Sequence, residues 1–215
     1  MRLLTILGSK GGIGKSTLAT NLLVAARLDG LDAVGMDLDA GQRTLVKWGA
    51  KRAAAGQEPA AHVIAGRLTA WRDTLTDCGS ATLVVADTPP GMDDAERIAA
   101  VRGLAVTSAL VLIPALPQEL TLEAIGELAA VLHGKVRVPT LLVLNQVETP
   151  RHDLEEARQY LRGLADLCPV EIPRRVDIQR EAGAGSSVIE TTNLGGSEAM
   201  RSLWRFVADR LGVTR

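Results

Sequence analysis

An α/β fold, a mostly parallel sheet with helices on both faces, follows from three features of the 215-residue sequence. Short, nearly continuous apolar runs alternate with stretches of helical spacing, the pattern of strands buried on both sides. A glycine-rich loop joins the first apolar run to the first helix-like stretch. Polar residues end several of the runs, at the carboxyl edge where such sheets bind ligands.

Taken in order, Arg2-Leu3-Leu4-Thr5-Ile6-Leu7 reads as the first strand. Ser16 to Asp29 reads as a helix, with apolar residues at Leu18, Leu22, Ala25 and Ala26 and a stop at Gly30. A buried strand over Asp32 to Asp37 leads into a polar segment through Trp48 and Arg52. A short strand near His62 to Ala65 and a helix from about Gly66 to Asp77 come next. Strand Thr82 to Ala86 ends in the turn Asp87-Thr88-Pro89-Pro90-Gly91, before a helix over Asp93 to Arg102 with an acidic start. The alternation continues with strand Ala109 to Ile113, helix Thr121 to His133, strand Thr140 to Leu144 and helix Arg151 to Ala165. A short strand at Val170 to Ile172 and helices near Asp177 to Ala182 and Ser197 to Leu211 complete the chain. With these strands, Gly14, Asp37, Asp87 and Asn145 share one rim.

Gly8-Ser9-Lys10-Gly11-Gly12-Ile13-Gly14-Lys15-Ser16-Thr17 has the makings of a phosphate grip. Glycines let successive backbone N–H groups turn inward around phosphate oxygens, and the following helix adds its positive end. Gly11, Gly12, Ile13, Gly14, Lys15, Ser16 and Thr17 are the expected nucleotide contacts. Lys15 supplies a mobile charge, and the Ser16 hydroxyl is suited to Mg²⁺. Asp87 follows four apolar residues, as a carboxylate that holds Mg²⁺ beside the loop should. Asp37 and Asp39 end another strand one pleat apart, so one can orient the metal shell while the other polarises an attacking water. A solvated acidic turn is the plainer use of the same residues.

Apolar residues make up 47% of the chain and aromatics only 2%, so Leu, Val, Ile and Ala must build the core. Few rings remain for stacking on bases, which weighs against a dedicated sequence-reading module. With a formal net charge of −1, any hold on DNA must come from a local patch. Cys78 and Cys168 lack zinc-site spacing and read as reduced thiols of a cytosolic protein. The start reads as lacking a signal peptide, because cleavage would destroy the loop. The most apolar stretch, Leu104 to Leu116, is too short to span a bilayer and contains Pro114.

Lys10-Gly11-Gly12-Ile13-Gly14-Lys15-Ser16, Asp37-Leu38-Asp39 and Asp87-Thr88-Pro89-Pro90-Gly91 together resemble the ParA/MinD family of deviant-Walker ATPases. Pro114-Ala115-Leu116-Pro117, Asn145 and the segment from Arg174 to Val188 extend the likeness over nearly the whole chain, with partition ParA proteins and MipZ the most similar members. The resemblance implies one P-loop ATPase domain over residues 1–215, using ATP and Mg²⁺ and forming a homodimer with ATP. It implies that Lys10 reaches across to the partner's phosphates, Lys15 grips its own, and Asp39 positions water. It further implies that Ser16, Asp37 and Asp87 serve the metal and Asn145 reads adenine. A departure follows the second aspartate, where Ala40-Gly41-Gln42-Arg43-Thr44 is one residue longer than the usual proline-glutamine pattern, so Gln42 and Thr44 receive no catalytic role.

By the same resemblance the dimer would bind nonspecific double-stranded DNA and segregate plasmids or chromosomes with a ParB-type centromere-binding protein, in the cytoplasm and on the nucleoid. Residues 174–215 carry seven arginines against five acids, with Arg174, Arg175, Arg201 and Arg205 the candidate contacts. A MipZ-like or cargo-positioning regulator is the alternative. MinD-like membrane cycling needs an amphipathic C-terminal helix; Met200, Leu203, Trp204, Val207 and Leu211 do form a stripe, but a helix docked on a core shows the same pattern.

Overall fold

The computed structural model describes residues 1–91, 94–132, 138–148, 151–192 and 195–213. Seven strands form one sheet: β1 (Arg2–Ile6), β2 (Ala33–Asp37), β3 (His62–Ala65), β4 (Leu83–Asp87), β5 (Leu110–Ala115), β6 (Thr140–Leu144) and β7 (Asp166–Leu167). Their order is β3-β2-β4-β1-β5-β6-β7 and every pairing is parallel. Among the described residues six helices connect them, α1 (Lys15–Leu28), α2 (Thr44–Ala54), α3 (Trp71–Asp77), α4 (Ala95–Thr107), α5 (Glu119–Leu132) and α6 (Arg151–Arg162), and two more, α7 (Val176–Gly183) and α8 (Gly195–Leu211), follow β7.

The strands divide their side chains between two cores, as a two-residue period requires. Leu4, Ile6, Val85, Leu112 and Val143 face one side, where α1, α2, α7 and α8 cover them. Leu3, Met36, Val84, Val111 and Leu142 face the other, beneath α3, α4, α5 and α6. Burial on both faces explains why these strands read as unbroken apolar runs. The α8 stripe of Met200, Leu203, Trp204, Val207 and Leu211 is wholly buried in the first core, and Trp204 Nε1 donates to Asp29 Oδ2 at 2.6 Å. Among the described residues no helix is long and apolar enough to cross a membrane. Cys78 and Cys168 are free and buried, and burial pushes the Cys78 thiol up to about 11.

Five expectations need correction, the first being the helix expected to end at Arg102, which as α4 runs on to Thr107. The polar segment through Trp48 and Arg52 is helix α2, whose buried residues Leu45, Trp48, Gly49 and Arg52 do fall at helical spacing. An arginine in a core position hid that period. The helix expected from Gly66 to Asp77 is a 3-10 turn at Leu68–Ala70 followed by α3. The last strand is Asp166–Leu167, and Val170 to Ile172 is an extended segment held by Ile172 N on Leu144 O and Val147 N on Ile172 O, both at 2.9 Å, and by a bridge between Val147 and Pro173. Helix α6 stops at Arg162, where Gly163 N turns back to the Gln159 and Tyr160 carbonyls. Asp93 and His133, expected as helix ends, lie outside the described residues; Asp94 caps α4 by accepting from Arg97 N at 2.8 Å.

Candidate nucleotide site

The phosphate-loop candidate leaves the central strand. Leu7 N extends the β1–β5 pairing to Leu112 O at 3.0 Å, and Gly91 N ties Ser9 O to the turn after β4 at 3.1 Å. Gly14, at φ 93°, opens α1 without a side-chain cap, and no acidic residue sits in the first turn. A helix N-terminus left this way presents backbone donors and a positive dipole end. Only glycine fits there, because a Cβ would lie 2.3 Å from Asn145 Nδ2. That amide donates to Ile13 O at 2.7 Å, and the next side chain, Gln146, donates from Nε2 to Gly12 O at 2.8 Å.

Lys15 is buried, with Nζ donating to Lys10 O at 3.1 Å. Burial lowers its pKa, and the Asp87 and Asp39 carboxylates act in the opposite direction. Asp87 is registered between Ile6 on β1 and Asp37 on β2 and is 1% exposed. Neither carboxylate oxygen has a hydrogen-bond partner of good geometry. Burial raises this carboxyl to about 7; the nearby Ser16 hydroxyl and Lys15 favour the charged form, while Asp37 and Asp39 oppose it. A fold does not ordinarily leave a buried carboxylate unsatisfied, so the orphaned pair of oxygens beside a serine hydroxyl fits a hard divalent cation.

Asp39 is buried, with Oδ1 accepting from Gly41 N at 3.1 Å and Gln42 N at 3.0 Å. The residues after it thus close a tight turn around the carboxylate. Arg43 follows at φ 53° and donates to Asp37 O at 3.0 Å and Gly66 O at 2.6 Å, joining the loops after β2 and β3. Asp37, expected to serve the metal, meets two backbone donors. Its Oδ1 accepts Asp39 N and its Oδ2 accepts Val46 N, both at 3.0 Å, so it braces the turn and α2. Burial raises its pKa, against the pull of those two N–H groups.

Lys10 is exposed and points away from its own loop, donating to Leu120 O on α5 at 2.6 Å. Of the arginines expected on DNA, Arg174 pairs with Glu148 at 3.1 Å and Arg175 with Asp177 at 2.9 Å. Arg201 holds Ser197 Oγ at 3.2 Å and the Ile189 carbonyl. With Arg205 it lines a cavity of about 700 Å³ at the start of α8. All four are exposed. Arg43 and Gln146 were not expected at the site; their only special mark, a positive φ, is invisible in a sequence.

A parallel sheet whose central strand feeds an anion-receptive loop, with an aspartate ending the neighbouring strand, defines a P-loop nucleotide-binding domain. A model of the CbiA family, described as the CobQ/CobB/MinD/ParA nucleotide binding domain, matches residues 4–188, and the chain belongs to that family. It is 37% identical over 103 residues to the maintenance of carboxysome distribution protein A of Gloeobacter kilaueensis. That match takes in 47% of this chain and 44% of the relative, so the chain spans about half the length of the curated relative it matches. Its fold is similar to the septum site-determining protein MinD with Mg-ADP from Pyrococcus horikoshii, with TM-score 0.77, 19% identity, and 99% and 98% of the two chains covered. The McdA–ATP complex from Cyanothece aligns with TM-score 0.70, 14% identity, and 100% and 98% coverage. A plasmid partition protein from Borrelia burgdorferi aligns with TM-score 0.71, 15% identity, and 97% and 98% coverage.

Proposed function

We propose that this chain is a magnesium-dependent ATP hydrolase whose ATP-bound homodimer positions a cargo along DNA. The observation that carries the reading is the unpartnered Asp87 carboxylate beside Ser16 and Lys15, under the uncapped start of α1. In this reading the backbone from Gly11 to Thr17 receives the phosphates, and Lys15 adds a charge that Asp87 and Asp39 favour. Ser16 and Asp87 are the residues that would hold Mg²⁺, which when bound supplies positive charge to the phosphate oxygens. Asp39, gripped by Gly41 and Gln42 N–H groups, is placed to orient a water. Asn145 braces the loop from the side on which the adenine is expected.

Lys10 gives the reading its dimer. One hydrogen bond to an exposed carbonyl holds it, which at about 1 kcal/mol net leaves it free to swing toward a second copy. A cation donated there would neutralise developing charge as an arginine finger does, an effect of about 10³ to 10⁵ in rate. Lys10→Ala should keep ATP binding and lose the turnover that depends on pairing. Asp39→Ala should accumulate ATP-bound dimer in sizing chromatography, and a variant that stayed monomeric with ATP would refute the assignment.

The carboxysome-distribution relative favours cargo positioning, through 37% identity over the matched segment. Segregation of plasmid or chromosomal DNA with a ParB-type partner is the second reading, drawn from the fold shared with a plasmid partition protein. A neighbouring gene for a small DNA-binding protein that stimulates turnover would favour segregation, and an adaptor without affinity for DNA would favour cargo positioning. Both place the protein in the cytoplasm, on the nucleoid. Both also require ATP-dependent binding to nonspecific duplex DNA that weakens linearly in log–log terms with salt, through Arg174, Arg175, Arg201 and Arg205. Binding indifferent to ATP and salt would exclude both.

A further inference from the structure

Gln146 sits between two pinned neighbours, with Asn145 N on Ala115 O at 2.8 Å and Val147 N on Ile172 O at 2.9 Å. Its φ of 54° lies in the left-handed region, shared by just one other non-glycine among the described residues, Arg43. Such a conformation is unfavourable for a bulky residue and persists where something else holds it. The side chain is half-buried at the rim, within reach of water, so desolvation does not force it inward. What it does make is the Nε2 bond to Gly12 O at 2.8 Å, next to the Asn145 Nδ2 bond to Ile13 O at 2.7 Å. Consecutive amides at the end of β6 therefore hold consecutive carbonyls of the loop.

Within a trans peptide the C=O and the following N–H point in opposite directions. Drawing the Gly12 and Ile13 carbonyls toward β6 turns the N–H groups of Ile13 and Gly14 away from it. Gly12, at φ 77°, has open space where a side chain would begin, so hydrogen bonding rather than packing must fix that peptide. We propose that Gln146 is a positioning residue for the phosphate loop: with Asn145 it forms an amide clasp that presents the Ile13 and Gly14 N–H groups to phosphate oxygens before a nucleotide arrives. The strain at Gln146 is then the counterpart of a preformed anion site. This inference rests on the reading that the loop holds a nucleotide.

Gln146→Gly separates the clasp from the fold, because glycine adopts the left-handed conformation without strain but has no donor. The unfolding midpoint of the ligand-free variant should equal or exceed that of the parent. Affinity for the fluorescent analogue mant-ADP should fall about five- to tenfold, the worth of one hydrogen bond and its preorganisation. Inorganic pyrophosphate, which has no base, should lose potency as a competitor by the same factor. Gln146→Asn tolerates the backbone but is one methylene short, and should bind like the glycine variant. Parental affinity for mant-ADP in Gln146→Gly would overturn the proposal. So would weaker mant-ADP binding with undiminished pyrophosphate competition, which would place Gln146 at the base. Failure of the unmodified protein to bind mant-ADP or pyrophosphate at all would instead overturn the reading of the loop itself.

Discussion

Arg52 and Asp87 are both 1% exposed, and their surroundings are opposites. Arg52 donates from Nε to Pro59 O at 2.9 Å and grips Glu190 with two nitrogens at 2.9 and 2.6 Å. Its guanidinium also lies 5.5 Å from the Trp48 ring, and Glu190 Oε2 accepts Ser187 N at 2.8 Å. Trp48 Nε1 meets Ser186 O at 3.0 Å, and Ser187 Oγ meets Asn21 Oδ1 at 2.7 Å. This satisfied network staples α2 and α1 to the segment before α8. Asp87 has no partner of this kind and is pushed toward neutrality. One buried charge is completed by the fold, whereas the other awaits something outside the chain. The contrast marks the site more sharply than any cavity does.

The largest expected effect breaks the completed side. Arg52→Met leaves Glu190 at 18% exposure without its cation, which should lower unfolding free energy by about 3–5 kcal/mol in a urea titration. Adding Glu190→Leu should recover most of that loss, since a matched apolar pair replaces a buried ion pair at little cost. A single variant within about 1 kcal/mol of the parent would mean that the staple is dispensable.

A smaller effect of opposite sign is expected at Asp87. Its folded pKa lies above the unfolded value, so the folded state holds the proton more tightly and metal-free stability falls as pH rises from about 4 to about 7. Asp87→Asn should remove that decline and raise metal-free stability at pH 8 by on the order of 1–3 kcal/mol. A variant less stable than the parent at pH 8, with the decline intact, would show that this carboxylate is not strained. The smallest effect belongs to the exposed pair Arg174–Glu148, where Arg174→Ala should change stability by less than about 0.5 kcal/mol. A larger loss in thermal unfolding would remove the distinction between buried and exposed pairs.

Strands of this sheet were readable because both faces are buried, which makes runs such as Leu83 to Ala86 apolar without interruption. Helix α2 was not, because the residue completing its buried face is Arg52, and no pattern announces a partner 138 positions away. Strand β7 is two residues long and contains Asp166, so the more apolar Val170 to Ile172 drew the assignment. In the site, the loop and the three aspartates stood out because strand ends and glycine spacing are sequence properties. Their surroundings did not: Asp37 meets two N–H groups, whereas neither Asp87 oxygen has a hydrogen-bond partner of good geometry. The clasp from Gln146 depends on a backbone angle that its neighbours do not encode.

Magnesium dependence of nucleotide binding tests the central assignment most directly. By isothermal titration, the parent protein should bind ATP more tightly with Mg²⁺ than with excess EDTA, whereas Asp87→Asn should bind equally weakly in both. A magnesium response of undiminished size in Asp87→Asn would contradict the account.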